Sequence, residues 1–543
     1  MRILSNKHVY NSFLIVLFLI YGYFLFKNLG QYHFWDDEAN TAIYARNLLK
    51  TGELNAFDGR NLIGYSNGIE LDENLNNVII PPFQYYLVAG SFWFFGNGTF
   101  AARFPFALMG LLAFVVFFLI NKELFKERNL ILVNMIIFAT NIGFILYMRQ
   151  SRYYAPTALF FLTNIWLLIR YYYKNPNWKI LLLYTLSTFL LFVSQYNAGL
   201  AIASVLALVY WYLKKWSLKD PEIKAFIAAN AITVIFIAIF LFFNNPFDNT
   251  QTYSKKGFDV AYKLYVLYKS ILALDTFAFL SVPLVAAFLY FNKRQLGSNP
   301  KVLKLLIWFL AINMVGFAFF SLKYAVRYII YMIPIALLIE GYIIYQIWHW
   351  PVRYARILST STSVLIIFTS MLFISTGSEA NVSVGPIQIN SHFIDYVDEI
   401  HKENPSSYSK IIEYLEEEKE QNKTVLVLPV YMSCPLMYYV GNQYLFVNQI
   451  PEEKEIRNDL VKELPDYVFN YEVAPDYIIV CGPDIEKKDS IFEKYPETAY
   501  KLDKHIDFYY RDVTRPEYEW RNFDVENDYN RTTKTIFIFK KIS

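Results

Sequence analysis

The 543 residues are 55% hydrophobic and 19% aromatic, with only 18% charged. A soluble chain of this length would divide into several domains of ordinary polarity, and this composition is too apolar for that. Fifty basic residues against 47 acidic ones leave a net charge of +3, too even a balance for gripping nucleic acid along a basic face, so no nucleic-acid partner is expected.

In chain order, the first apolar segment, 9–27, is long, is followed by Lys27 and Tyr32, and has no small-residue cleavage site, which predicts a retained signal anchor. Further segments able to cross about 30 Å of hydrocarbon lie at 101–120, 130–148, 155–170, 179–196, 198–213, 225–243, 268–290, 303–321, 328–348 and 357–376. The stretch 81–95 is apolar but short and opens with Pro81-Pro82, which predicts a re-entrant or interfacial helix. Lys and Arg recur in 122–128, 214–224, 293–304 and 353–356. The positive-inside rule puts those loops and the N-terminus in the cytoplasm of a multi-pass protein of the inner (plasma) membrane. Segments 28–80, 244–267 and 377–543 then face outward.

Beyond the last span, Tyr408, Ile411, Ile412 and Leu415 follow helical spacing after Pro405. Strand-like runs follow at 424–430, 444–449, 477–481, 505–510 and 535–539. The expected organisation is a membrane domain over 1–376, whose first outer loop is 28–80, and a small exoplasmic α/β domain over 377–543. Cys434 and Cys481 are too few for a structural zinc site or a disulfide framework. Two buried thiols are the simpler reading, and a single bridge is the alternative.

Chemistry concentrates in Phe34-Trp35-Asp36-Asp37-Glu38-Ala39-Asn40. Three consecutive carboxylates next to a membrane exit, wrapped in aromatic rings, are costly to desolvate and point to a function. The plainer alternative is an acidic cap: Asp36 or Asp37 at the start of a helix through Ala42, Ile43, Ala45, Leu48 and Leu49. The two readings are compatible.

The order of motifs adds to this. The acidic pair is followed by the Pro-Pro aromatic segment, by Gly98-Thr99-Phe100-Ala101-Ala102-Arg103-Phe104-Pro105, by Arg149-Gln150-Ser151-Arg152-Tyr153-Tyr154-Ala155-Pro156, and by Lys323-Tyr324-Ala325-Val326-Arg327-Tyr328 leading to Pro334. The series, over residues 1 to about 376, resembles the GT-C glycosyltransferases of family 39, which include protein O-mannosyltransferases and the transferases that put aminoarabinose on lipid A. The resemblance implies an all-α membrane bundle of GT-C type, with about eleven spans and juxtamembrane helices in its outer loops. It also implies transfer of a sugar, with inversion, from a polyprenyl-phosphate donor to a lipid, glycan or protein acceptor on the outer face of the membrane.

Such chemistry needs one carboxylate as general base, and cations and hydrogen-bond donors to hold the departing phosphate. That leaving group is already ionised, so the second carboxyl of a glycosidase is not required. The resemblance assigns the base to Asp37 and an orienting role to Glu38, with Asp36 as an extra acid. It makes Arg149, Arg152 and Arg327, with Lys323 beside the last, candidates for the phosphate; snorkelling at helix ends is the alternative for these cations. Arg103 reads as a helix-end anchor. The lysine that precedes the proline of the first-loop aromatic segment in the lipid A transferases is replaced here by Ile80, so the sugar does not carry over from that subfamily.

Asp58, Glu70, Asp72 and Glu73, with Asp36, are of a type to bind an acceptor or a divalent metal, as in the related oligosaccharyltransferases. Family 39 enzymes generally work without a metal, and a solvated acidic loop is the commoner outcome; no other cofactor is expected. The rival from another class is a transporter or a flippase for lipid-linked sugars. Against it stand the lack of an evident internal repeat, the acidic cluster at a span end and the sizeable outer domain.

Overall fold

The computed structural model describes residues 6–64, 71–72, 74–173, 176–196, 217–244, 259–278, 300–320, 326–351, 353–375, 407–447, 474–481, 497–509 and 533–542, with short pieces between them. The chain divides into two compact units that do not follow its order. One comprises 1–27, 106–243 and 257–401; the other comprises 28–105, 244–256 and 402–543.

The first unit is a helical bundle. Its elements begin with α1 (Lys7–Phe26), most of α4 (Thr99–Leu124), α5 (Arg128–Ala139), α6 (Ile142–Met148), α7 (Tyr154–Tyr173) and α8 (Trp178–Ser194). Helices Pro221–Asn244, Val260–Phe277, Pro300–Phe320, Ile333–Trp348 and Ala355–Met371 complete it. Among the described residues four helices are individually long and apolar enough to cross a bilayer, or five spans if α5 and α6 are one broken span; shorter apolar helices include Trp178–Ser194, Leu306–Phe319 and Ala355–Ile367. The expected span 198–213 and the end of 268–290 lie outside the described residues.

Two expected spans differ from the structure. The segment 130–148 bends by 59° between α5 and α6. The cause is Asn141, whose side chain accepts the Phe144 N–H as an N-cap and donates to the Phe277 carbonyl, so a new helix starts there. The last span stops at Met371, where the backbone becomes strand β1 (Leu372–Ser375), pairing with β3 (Ile387–Ser391), which also takes β2 (Val382–Val384). An apolar window cannot separate a helix end from a strand that continues it.

Lipid supplies no hydrophobic force between helices, so close packing and polar contacts hold the bundle. A Cβ added at Gly110 would lie 2.7 Å from the Met148 Cβ, one at Gly143 2.1 Å from the Phe277 ring, and one at Gly341 2.2 Å from the Asn134 amide. Asn134 in turn donates to Asn121 at 2.6 Å. Phe117 and Phe138 stack with centroids 4.5 Å apart, and Phe138 meets Phe144 at 4.9 Å.

The second unit joins the first loop to the C-terminal residues. The loop carries α2 (Asp36–Thr51) and α3 (Phe83–Phe95), the latter being the segment expected as an interfacial helix. The C-terminal part contains helices Ser407–Glu418 and Ser433–Val440 and a five-stranded sheet of order β5-β4-β6-β8-β7. Strands β4 (Lys423–Leu428), β5 (Tyr444–Phe446) and β6 (Tyr477–Cys481) are parallel; β8 (Thr533–Lys541) runs antiparallel to β6 and to the edge strand β7 (Tyr500–Tyr509). The central strands are near-continuous apolar runs, as burial on both faces demands: every residue of β6 is buried. The predicted helical stripe is the one used, since Tyr408, Ile411, Ile412 and Leu415 are all buried. Cys434 and Cys481 are both buried thiols that form no disulfide.

Candidate active site

The acidic run forms the first turn of α2. Trp35, in extended conformation, takes the N-cap position expected for Asp36 or Asp37, and the three acids follow it as first-turn residues. The positive end of the helix dipole favours carboxylates there. Asp36, Asp37 and Glu38 are 5%, 6% and 0% exposed, so none is a solvated loop acid. The Thr41 hydroxyl donates to the Asp37 carbonyl at 3.0 Å and tightens the turn.

Arg103, in the first turns of α4, organises this segment. Its Nε donates to Glu38 Oε1 at 2.9 Å and its Nη2 to Oε2 at 2.6 Å, a two-pronged ion pair. The same guanidinium donates to the carbonyls of Leu29 (3.1 Å), Tyr32 (2.9 Å) and His33 (3.2 Å). These five contacts match the five donors of the group. A buried pair of this kind breaks even only when its remaining hydrogen bonds are made, and here they are. The side chain read from sequence as an anchor thus grips the acidic motif, and it also lies over the Phe34 ring, 5.4 Å from the centroid. Only proximity in the fold reveals this, because no local pattern marks the partner of a helix-start arginine.

Side chains of the C-terminal part close over the entry to α2. The Tyr439 hydroxyl accepts the Phe34 N–H at 3.0 Å, and His33 Nδ1 lies 2.8 Å from Ser409 Oγ. The ring of Phe34 meets Tyr438 edge-on at 4.9 Å, and His33 meets Tyr439 at 4.5 Å. Burial, aided by Arg103 and opposed by Glu413, lowers the pKa of His33, so it is neutral near pH 7. Burial pushes the Tyr438 hydroxyl up to about 12 against the opposing charge of Arg46, and it pushes Tyr439 up further.

The other acids of the loop serve the loop. Asp58 accepts the N–H groups of Arg60 and Asn61 and pairs with Arg46 at 3.2 Å; Asp72 accepts the N–H groups of Asn74 and Asn76. Glu70 and Glu73 lie outside the described residues. Among the described residues no three His, Cys, Asp or Glu side chains gather as a metal-holding group.

In the helical unit, Arg149 closes the end of α1: its guanidinium donates to the carbonyls of Phe24 (2.7 Å), Leu25 (3.0 Å) and Lys27 (2.9 Å) and lies over Tyr396. It thereby satisfies orphan carbonyls of a helix C-terminus. Arg152 is 6% exposed and stacks on Tyr153. Arg327, half-buried beside Tyr328, is near enough to Tyr153 to act on its hydroxyl, as is Arg152. Two of the expected cations, far apart in the chain, therefore lie within electrostatic range of one tyrosine. Lys323 lies outside the described residues.

Residues 80–243 match the family model of dolichyl-phosphate-mannose-protein mannosyltransferase. An uncharacterized protein of Aquifex aeolicus (strain VF5) is 27% identical over 165 residues, which is 30% of this chain and 30% of the relative. The fold is similar to that of ArnT from Cupriavidus metallidurans bound to undecaprenyl phosphate, with a TM-score of 0.57, 12% identity and 97% of each chain covered. The apo state of the same ArnT gives a TM-score of 0.56 at the same coverage.

Proposed function

We propose that this chain, a family 39-like member of the GT-C glycosyltransferases, moves a sugar from a polyprenyl-phosphate donor to a lipid, glycan or protein acceptor on the outer face of the plasma membrane, with Asp37 as general base and inversion at the anomeric carbon. The observation that carries the assignment is the Arg103–Glu38 pair. Both oxygens of Glu38 are engaged by one guanidinium, which supports a positioning role for Glu38 and favours its neighbour Asp37 as proton acceptor. The motif order supports the same choice.

Arg152 and Arg327 receive the phosphate in this scheme, since planar guanidinium groups suit it. Arg149 supports them indirectly by holding the end of α1. No metal enters the scheme. The donor class rests on the family match and on the lipid named for the similar ArnT. The positive-inside pattern supports a cytoplasmic N-terminus and an outward-facing C-terminal domain.

The test is release of undecaprenyl phosphate in proteoliposomes from its mannosyl, glucosyl and aminoarabinosyl phosphodiesters, with and without an envelope extract as acceptor. Release only with acceptor is expected, whereas a flippase would release none. Asp37→Asn protein that is folded and inserted should lose about 10²–10⁴-fold in turnover. Wild-type turnover in that variant removes Asp37 from the role.

A further inference from the structure

We infer that the C-terminal domain is a working part of the transferase site, and that Tyr439, with Ser409, positions the acidic turn through Phe34 and His33. The inference rests on the assignment of Asp37 as base.

The residues just before α2, 33–35, lie outside any helix or strand, and their conformation decides where the first turn of α2 starts. Two of them are tied to side chains that lie hundreds of positions later in the chain. Phe34 N–H goes to the Tyr439 hydroxyl at 3.0 Å, and the His33 ring goes to Ser409 at 2.8 Å. The tyrosine comes from one short helix, Ser433–Val440, and the serine from another, Ser407–Glu418. Both helices are tied to the sheet: the Tyr444 hydroxyl of β5 donates to the Leu415 carbonyl at 2.7 Å, Tyr414 meets Tyr477 of β6 edge-on, and the helix Ser433–Val440 packs against β5. The contact is anchored a second time farther along the loop. Asn61, 1% exposed, donates to the Gly441 and Tyr444 carbonyls at 3.0 and 3.2 Å and accepts the Phe446 N–H at 2.8 Å. The C-terminal side thus holds the loop on both flanks of α2, at 33–34 and at 61.

Tyr439 also senses the charges of Arg103 and Glu38, so it belongs to the same cluster that holds the acidic run. Its hydroxyl touches no reacting group in this scheme and acts through the backbone of Phe34, which makes it a positioning residue. A general base must lie within hydrogen-bond reach of the proton it takes, and a shift of about 1 Å costs up to a hundredfold in rate.

The experiment compares full-length wild type with Tyr439→Phe, which removes one oxygen and keeps the ring. The control is Tyr500→Phe, which removes a similar buried hydrogen bond, to the Pro475 carbonyl, in the sheet of the same domain. Tyr439→Phe is expected to speed amide exchange in the peptide over residues 33–40. It is also expected to lower kcat by about tenfold or more with the KM for the undecaprenyl phosphodiester donor unchanged, while Tyr500→Phe does neither. Unchanged exchange and kcat in Tyr439→Phe overturn the inference, and so does an equal loss in Tyr500→Phe, which would mark mere domain stability. If Tyr439→Phe does not fold, Ser409→Ala at the His33 contact carries the same comparison. Amide exchange needs no turnover, so failure of this inference, unchanged exchange in Tyr439→Phe with Asp37→Asn inactive, is distinguished from failure of the base assignment, full activity in Asp37→Asn.

Discussion

Arg103 shows how one side chain can single out one of three adjacent acids, since both of its prongs go to Glu38. Replacing it with leucine leaves the fully buried Glu38 carboxylate without its counter-charge, a loss of about 3–5 kcal/mol for a broken buried pair. The expected result is a sharply lowered unfolding temperature for Arg103→Leu in detergent. Arg103→Leu with Glu38→Leu should regain much of that loss, because two apolar groups need no partner. The double variant should still lack transfer activity, since the three loop carbonyls that Arg103 holds are released. A double variant no more stable than the single one would mean that those carbonyls, and not the carboxylate, dominate. The acids themselves were legible in the sequence as an unusual run beside a membrane exit. The arginine was not, because a single basic residue at a helix start has many uses and only contact selects one.

At the scale of elements, the hydropathy pattern located most of the helices, since an apolar stretch of about 20 residues is a local property that needs no partner to be read. It missed the break at Asn141 and the passage from helix to strand after Met371. In both places the deciding event is a hydrogen bond to a distant group: Asn141 to the Phe277 carbonyl, and Leu372–Ser375 to β3. Interior glycines are a further feature that the pattern leaves out. Gly341→Ala puts a methyl group 2.2 Å from the buried Asn134 amide, so either that amide leaves its bond to Asn121 or α5 and the helix Ile333–Trp348 move apart. Overpacking of this kind costs about 1–3 kcal/mol, so a clear drop in thermal stability is expected. Gly316→Ala, with no atom within 4 Å of the added Cβ, should show none. Equal behaviour of the two variants would mean that Gly341 is not a close-packing site.

For the molecule as a whole, the two units regroup the chain. The loop that opens at Asn28 falls in one unit with the residues from Lys402 onward, and the helical bundle takes 1–27 and most of what lies between them. The loop draws many of its polar partners from the C-terminal domain: Arg46 bonds to the Tyr438 carbonyl, Arg60 to the Gly441 carbonyl and to Asn422, and Asn61 to three backbone groups. A chain ending at residue 401 is therefore expected to insert, yet to be cut by trypsin after Arg46 and Arg60, bonds that the full-length protein protects. Equal protection in both, by limited proteolysis, would show that the loop folds without that domain.

The sequence by itself determined that this is a helical membrane protein with an acidic turn after its first span and an α/β domain at its end, because hydrophobic length, strand-like runs and charge are carried by neighbouring residues. Tertiary structure alone decided which groups hold that turn. Glu38 and its guanidinium partner are 65 positions apart, and Phe34 and the tyrosine that accepts its N–H are 405 apart. Interactions across such separations form only once packing has supplied the geometry and excluded water, and no window along the chain contains both partners.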